Sequence, residues 1–462
     1  MSFGARSRAA LASLGTLGLA LVAGVSPASA ADGKPTTPTQ LFNGYRTCST
    51  DAHRPTYLSA VGNLVVEGIP GTADTTGSPS VSIRYQVFPV GDPTRTATVT
   101  RDHTAAGNEA PGILPADALT DGQTYAWQAQ TVVGDAASDW TSPCFITIDS
   151  SRPANAPTVS SPNYPPTGWN QGGEPVTFKL SPNGVDDVTG YEYSWQQDLP
   201  VIGTSIGDHG IPQPVDPYAD TKYFTRADAT DGSATISLVP PTGVGPMTLW
   251  VRSLDRAYNS SATSSYGFYV SSTAPTLTPA VPSPEFGVPT TFTLRPDPAL
   301  QAKSPVVGYS VHTSGGSTPD RTVEVAAAAD GTADVQLTLD GVYGEFVQVT
   351  SKSANGWVSD AASWSSSYDT TPTVASDVYP EYGSSGGVGV PGTFTFTSKV
   401  KDVVSFTYSF NGGPEATVAA GADGTASVDW TPDSDGGTDL MVSATTGSGI
   451  QLAPYDYFFT VN

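Results

Sequence analysis

One short phrase recurs three times along the chain and limits what it can fold into. It opens with Ala156-Pro157-Thr158, Ala274-Pro275-Thr276 and Thr371-Pro372-Thr373. A strand-like segment follows each opening: Pro175-Val176-Thr177-Phe178, Pro289-Thr290-Thr291-Phe292 and Pro391-Gly392-Thr393-Phe394. Then comes an alternating aromatic stretch, and later the turns Asp231-Gly232-Ser233-Ala234, Asp330-Gly331-Thr332-Ala333 and Asp423-Gly424-Thr425-Ala426. A turn-rich module of roughly one hundred residues, repeated in tandem, predicts a string of small β-sandwiches.

Composition agrees with an all-β reading. Charged residues make up 14% of the 462 positions, against 48 Gly and 40 Pro. No helical periodicity stands out after residue 30. Disorder is the competing reading for so much Gly and Pro, but the aromatic residues fall at strand spacing. The formal charge of −23 argues against nucleic acid and anionic membranes as partners, since both would be repelled.

The N-terminus reads as a signal peptide. Arg6 and Arg8 precede an apolar run, Ala9 to Val25, and Ala28-Ser29-Ala30 fits a cleavage site after Ala30. No later stretch is long and apolar enough to span a bilayer, so the expectation is a secreted, extracellular chain without membrane insertion after signal removal. The two cysteines, Cys48 and Cys144, both fall in the first module, and in an exported chain they predict a disulfide.

The expected organisation is a linker at 31–40 and four modules: 41–151, 152–272, 273–370 and 371–462. The strand Tyr191-Glu192-Tyr193-Ser194-Trp195 alternates as a strand with one buried face should, and Tyr309-Ser310-Val311 and Phe406 to Phe410 are its counterparts. The second module is longer than the others between its opening Thr158 and the turn at Asp231. The excess lies within 196–224, after the aromatic strand. Insertions go to loops, and loops carry function more often than sheets do.

Two stretches resemble known families. Asp121 to Ala129, with Tyr125 and Trp127, followed by Ser138-Asp139-Trp140-Thr141-Ser142, resembles the last strands of fibronectin type III domains. A disulfide departs from the usual cysteine-free domain of that family. Asp187-Val188-Thr189-Gly190-Tyr191-Glu192-Tyr193-Ser194, and Leu249 to Asn259 with Tyr258 where a glycine is usual, resemble phrases of secreted actinobacterial immunoglobulin-like repeat proteins. Such modules often stand beside laminin-G-like domains. The resemblance implies tandem immunoglobulin-like domains after a fibronectin-like one, and a role in adhesion or spacing.

Catalytic motifs are poor. Gly203-Thr204-Ser205-Ile206-Gly207, with Asp208 and His209 next to it, matches a hydrolase elbow in letters only, because no helix is expected after it. Gly383 to Gly387 fits the same pattern inside a glycine tract. Gly387 to Gly392 fits a dinucleotide fingerprint but leads into an alternating strand, Thr393 to Thr397, where a helix is required. The four histidines, His53, His103, His209 and His312, are dispersed. The acidic clusters at Asp186-Asp187 and Asp433-Ser434-Asp435 read as solvated turns. No enzyme, cofactor or metal is expected.

Aromatic residues are the remaining candidates for binding. Trp127, Trp195, Trp250 and Trp430 are expected in cores. Trp169 in an entry loop, and Tyr218, Tyr223 and Phe224 in the insertion, are the possible ligand-binding residues. The expected function is a non-catalytic spacer or interaction protein engaging an extracellular protein, surface or polymer. The alternative is a carbohydrate-binding protein using those aromatic residues, with a polysaccharide as partner.

Overall fold

The computed structural model describes residues 33–44, 46–59, 63–73, 79–203, 205–206, 212–213 and 215–462. The signal peptide and its Ala30 site lie outside them. The chain groups into two compact units, one holding residues up to 151 with 203–215, the other residues 152–202 with 216–462. The fold is all-β: four tandem sandwiches, each made of two sheets. Among the described residues no helix is long and apolar enough to cross a membrane.

In the first sandwich one sheet runs in the order Arg46–Thr47, Pro35–Asn43, Leu64–Thr72, Ala110–Leu114. The facing sheet runs Thr56–Leu58, Cys144–Ile148, Thr124–Val133, Ser80–Pro89, Ala97–Ala105, with Ala136–Ala137 on the side of Thr124–Val133. Their inner faces bury Val66, Ile83, Tyr85, Trp127 and Ile146. Residues 35–40, read from sequence as linker, belong to a strand paired with Leu64–Thr72. Two register irregularities, between Thr36 and Thr39 and between Thr39 and Phe42, hide it. They break the alternation that would otherwise show, and prolines at 35 and 38 imitate turn composition.

The other three sandwiches share one plan. In each, the opening phrase is a strand (Thr158–Ser160, Thr276–Pro279, Thr373–Ser376) antiparallel to the Thr-Phe strand (Val176–Ser181, Pro289–Arg295, Gly392–Thr397). The third member of that sheet follows the Asp-Gly turn: Ala234–Leu238, Ala333–Thr338 and Thr425–Trp430. The facing sheet is built on Gly190–Ser194, Val306–Ser314 and Val403–Phe410, each paired with Gly245–Leu254, Phe346–Ser353 and Gly436–Thr446. Phe178, Phe292 and Phe394 are fully buried between the layers.

The repeated Asp-Gly turn has a physical reason. Asp231, Asp330 and Asp423 each accept from the backbone N–H and the hydroxyl of the residue two on: Ser233, Thr332 and Thr425. These bonds hold the three carboxyls below the usual carboxylate range. The glycine between has a positive φ in every copy, +79°, +84° and +73°. The Tyr191 and Tyr309 hydroxyls donate to the carbonyls of Gly232 and Gly331 at 2.7 and 2.5 Å, tying the turn to the opposite sheet. Phe406 takes that place in the fourth sandwich and cannot donate.

Gly331 is the most demanding of the three glycines, since a Cβ there would meet Gln301 Oε1 at 2.6 Å, while one on Gly424 would meet nothing. Gln301 Oε1 is itself held by the Val306 N–H at 2.8 Å. Gly424→Ala should therefore cost only the left-handed backbone penalty, about 1–2 kcal/mol. Gly331→Ala should cost more than that, as read by urea denaturation of the two variants side by side.

One short helix, Pro298–Lys303, stands where no helix was expected. Asp297 caps it through the Leu300 N–H, and Pro298 opens it, a start signal that six residues are too short to turn into a periodic pattern.

Candidate functional site

The insertion of the second sandwich connects the aromatic strand Gly190–Ser194 to its edge partner, Phe224–Arg226. The equivalent connections in the third and fourth sandwiches, 315–320 and 411–415, are short. Sequence alternation predicts one buried face for Gly190–Ser194, yet every residue of the strand is buried. Tyr218 covers the Gly190 end of the outward face. Its ring lies against Gly190, where a Cβ would meet Tyr218 Cε1 at 2.3 Å. The Tyr218 hydroxyl shares a hydrogen bond with that of Thr189 at 3.0 Å, and the Arg226 guanidinium sits 4.5 Å from the ring centre. Burial pushes the Tyr218 phenol up to about 12.

Tyr218, Phe224 and Leu254 form a small satellite core, with Ile202, Tyr223 and Tyr258 packed on it. Tyr218 and Phe224 are therefore packing residues that dock the insertion onto the sheet, which corrects their reading as possible ligand contacts. An aromatic residue in a long loop has two ways to lower its free energy, and here the bare backbone at Gly190 provides the internal one. Tyr258 holds a φ of +66° where the related phrases carry glycine, and its ring stands 6.0 Å from that of Tyr218. Half-buried Tyr223 has Lys222 over its ring at 4.8 Å.

Trp169 is not brought to this cluster. It lies on the edge strand Trp169–Gln171, parallel to Ser264–Ser271, is 64% exposed, and contacts Tyr269 with ring centres 5.4 Å apart. Of the four possible ligand-binding residues, it alone presents most of its surface to solvent. Trp127 is fully buried, and its Nε1 donates to Asn43 at 2.6 Å. Trp195 and Trp430 pack half-buried on their cores, Trp430 stacked on Phe410 at 4.6 Å. Trp250 is a correction. Met247, Leu249 and Val251 face the core, so Trp250 is on the opposite face, opposite Ser194 and Ser265.

Ser205 begins a two-residue strand paired with Pro212–Gln213, and Asp208 and His209 lie outside the described residues. Ser385 donates its hydroxyl to the Val378 carbonyl at 2.6 Å. The strand Gly392–Thr397 follows the glycine tract. His312 Nδ1 lies 3.2 Å from the Thr322 hydroxyl.

The features that sequence reasoning missed are the junctions within the second compact unit. Between the second and third sandwiches Trp357 is fully buried, and its Nε1 donates to Thr273 Oγ1 at 3.0 Å. Gly172 leaves room for that indole: a Cβ there would meet Trp357 Cζ2 at 2.6 Å. Asp360 accepts from the Thr273 N–H and the Ser272 hydroxyl at 2.8 and 2.7 Å. Asn355 donates to the Gly173 carbonyl, and Lys303, from the short helix, pairs with Glu174 at 2.9 Å. The buried residues of the two sandwiches form one continuous hydrophobic cluster.

The next junction uses the same place in the fold with different chemistry. Thr370 corresponds to Thr273. Its hydroxyl accepts from the Ala453 N–H at 3.2 Å and donates to the Val342 carbonyl at 3.0 Å. Phe286 of the third sandwich packs against the core of the fourth and edge-on to Tyr368, and Lys401 pairs with Glu285 at 2.8 Å. Asp369, bonded by Lys399 and Thr371, has its carboxyl held down at about 2. Those exposed ion pairs add little. The aromatic packing and the buried threonine contacts hold each junction.

In the first sandwich the predicted disulfide is formed, joining Cys48 to buried Cys144 across 96 residues. A carboxyl pair lies in the same sandwich. Burial, reinforced by a hydrogen bond and repulsion from Glu109, pushes Glu67 up to about 8. The folded chain thus keeps a proton there that the unfolded chain releases above about 4.5. Stability should fall as pH rises from 5 to 8 and then level off. Glu67→Gln should remove that slope, so calorimetry should show the melting difference moving in the variant's favour from pH 5.5 to pH 8.

No protein-family model and no curated protein matches the sequence. Among solved structures, the chain is similar to a tetra-tandem repeat from the extending region of a large adhesion protein, at 16% identity and a TM-score of 0.21, covering 93% of this chain and 99% of that one. It is similar to three fibronectin domains of chicken contactin, at 14% identity and a TM-score of 0.23, covering 66% of this chain and 99% of that one. Alpha-2-macroglobulin of E. coli is matched at 9% identity and a TM-score of 0.22, over 94% of this chain and 32% of that one. No family membership follows from these likenesses.

Proposed function

We propose that the chain is an exported, non-catalytic spacer and interaction protein, whose second to fourth sandwiches act as one stiff segment that holds its surfaces at fixed separations. The observation that carries this reading is the Trp357 junction. A tandem array meant to flex would expose its linkers, but here the linker residue Thr273 is fully buried and bonded at both its hydroxyl and its N–H. Export is supported by the leader-like residues 1–30 and by the disulfide, a bond favoured in oxidising compartments.

The test is a distance measurement in the full chain. Spin labels on Thr235→Cys in the second sandwich and Ser427→Cys in the fourth should give a single narrow distance distribution by pulsed electron resonance. A broad distribution spanning many geometries would defeat the spacer reading.

A further inference from the structure

The docked third and fourth sandwiches enclose a groove of about 350 Å³ that neither would form alone. The fourth sandwich lines it with the outward-facing Thr407, Met441 and Ser443, and with Glu415 and Gln451. Its opposite wall is Val342 and Tyr343 from the third sandwich. Junctions between domains are favoured places for ligand sites, and the volume falls at the small end of the usual range, about 300–1,000 Å³.

The wall is rigid. Gly341 and Gly344 flank its two residues, and neither can be replaced cheaply. A Cβ on Gly341 would meet the Gly344 carbonyl oxygen at 2.4 Å, and one on Gly344, at φ +123°, would meet the Ser366 carbonyl oxygen at 2.5 Å. Buried Glu345 accepts from the Asp340 N–H at 3.0 Å across the base of the loop. The Val342 carbonyl is tied to Thr370, which in turn holds the fourth sandwich at Ala453. At the tip of this braced loop, Tyr343 is 79% exposed and faces the groove. Its ring is thus available to a ligand lying in the groove.

We propose that this groove binds a neutral saccharide, with one pyranose ring lying on Tyr343 and its hydroxyls bonding to Glu415 and to the Gln451 amide, whose Nε2 also donates to the buried Ser443 hydroxyl at 3.3 Å. The lining includes no lysine or arginine, so it offers nothing to a phosphate or an acidic sugar. An aliphatic ligand would strip water from the carboxylate, amide and hydroxyl groups without replacing their hydrogen bonds. A metal ion would find a single carboxylate. A sugar ring matches the lining on both counts, with C–H groups against the aromatic plane and hydroxyls toward polar atoms. This site is distinct from the aromatic insertion of the second sandwich. It deepens the interaction reading above and rests on it only for its setting.

The full-length protein should be titrated calorimetrically with hexamers of N-acetylglucosamine, β-1,4-linked glucose and α-1,4-linked glucose. At least one should bind, Tyr343→Ala should weaken that binding about tenfold, and Glu415→Gln should weaken it too. Tyr382→Ala, an equally exposed tyrosine away from the groove, should leave it unchanged. The inference is overturned if no hexamer binds, if Tyr343→Ala binds as the wild type does, or if oligolysine binds through Glu415 where sugars do not. Any of these leaves the narrow label-to-label distance intact, so failure here is distinguishable from failure of the spacer reading.

Discussion

Replacing both Cys48 and Cys144 by alanine is expected to cost the first sandwich about 4.7 kcal/mol, the chain-entropy value for closing a loop of roughly one hundred residues. The bond spans 96 residues and ties the start of the sandwich to the strand Cys144–Ile148. Without it the unfolded ensemble of this sandwich gains nearly its whole conformational freedom, while the folded form loses only one cross-link. Cys144 is also fully buried, paired across the sheet with Trp127, so alanine leaves a small void as well. In guanidinium, the transition of the first sandwich should move to lower denaturant and that of the second to fourth should stay in place. A reducing agent should reproduce the shift in the wild type and do nothing to the double variant. An unchanged midpoint in both would show that the loop is closed by packing alone.

Trp357→Ala is the second large effect, expected to cost about 3–5 kcal/mol, the range for truncating a buried indole. Two losses combine. The cavity lies under the junction, lined by Gly172, and the buried Thr273 hydroxyl loses the donor it accepts from. The damage should not stay within the third sandwich, because Trp357 belongs to a cluster that runs through two sandwiches. Calorimetry should therefore show the shared transition of the second and third sandwiches splitting or shifting down. The label distance between residues 235 and 427 should broaden at the same time. Trp357→Phe, which keeps most of the volume but not the N–H, should recover most of the stability. A narrow distance in Trp357→Ala would mean that the remaining contacts at Asp360, Asn355 and Lys303 hold the junction unaided.

Much of the fold was legible because its determinants are local. The Asp-Gly-Thr turn is written by a carboxylate that bonds two residues ahead and by a glycine free to take positive φ. Both requirements survive in sequence as a repeated phrase. Strand parity put Tyr191 and Tyr309 on a buried face because period two reports which residues share a face. Only two cysteines were present, so the disulfide had a single possible pairing.

Parity does not say which faces end up covered. Trp250 was assigned to a core it turns away from, since an apolar run reads the same from both sides. Tyr218 and Phe224 looked free because nothing in their own segment shows that Gly190, far behind them in sequence, offers bare backbone to pack on. Trp357 gave no signal either. A residue buried between domains has the same chemistry as one buried within them, and only the docking of two sandwiches distinguishes the cases. The Tyr343 groove is the extreme instance, since its two walls come from different modules.

The sequence by itself thus determined the module, its turns and its disulfide, all set by bonds within a few residues or by pairing without alternatives. The tertiary structure decided which aromatic residues are spent on packing within a module, which are buried where modules meet, and which are left facing solvent. Those outcomes depend on surfaces meeting across long stretches of chain, where burial is won by shape complementarity that no local pattern encodes.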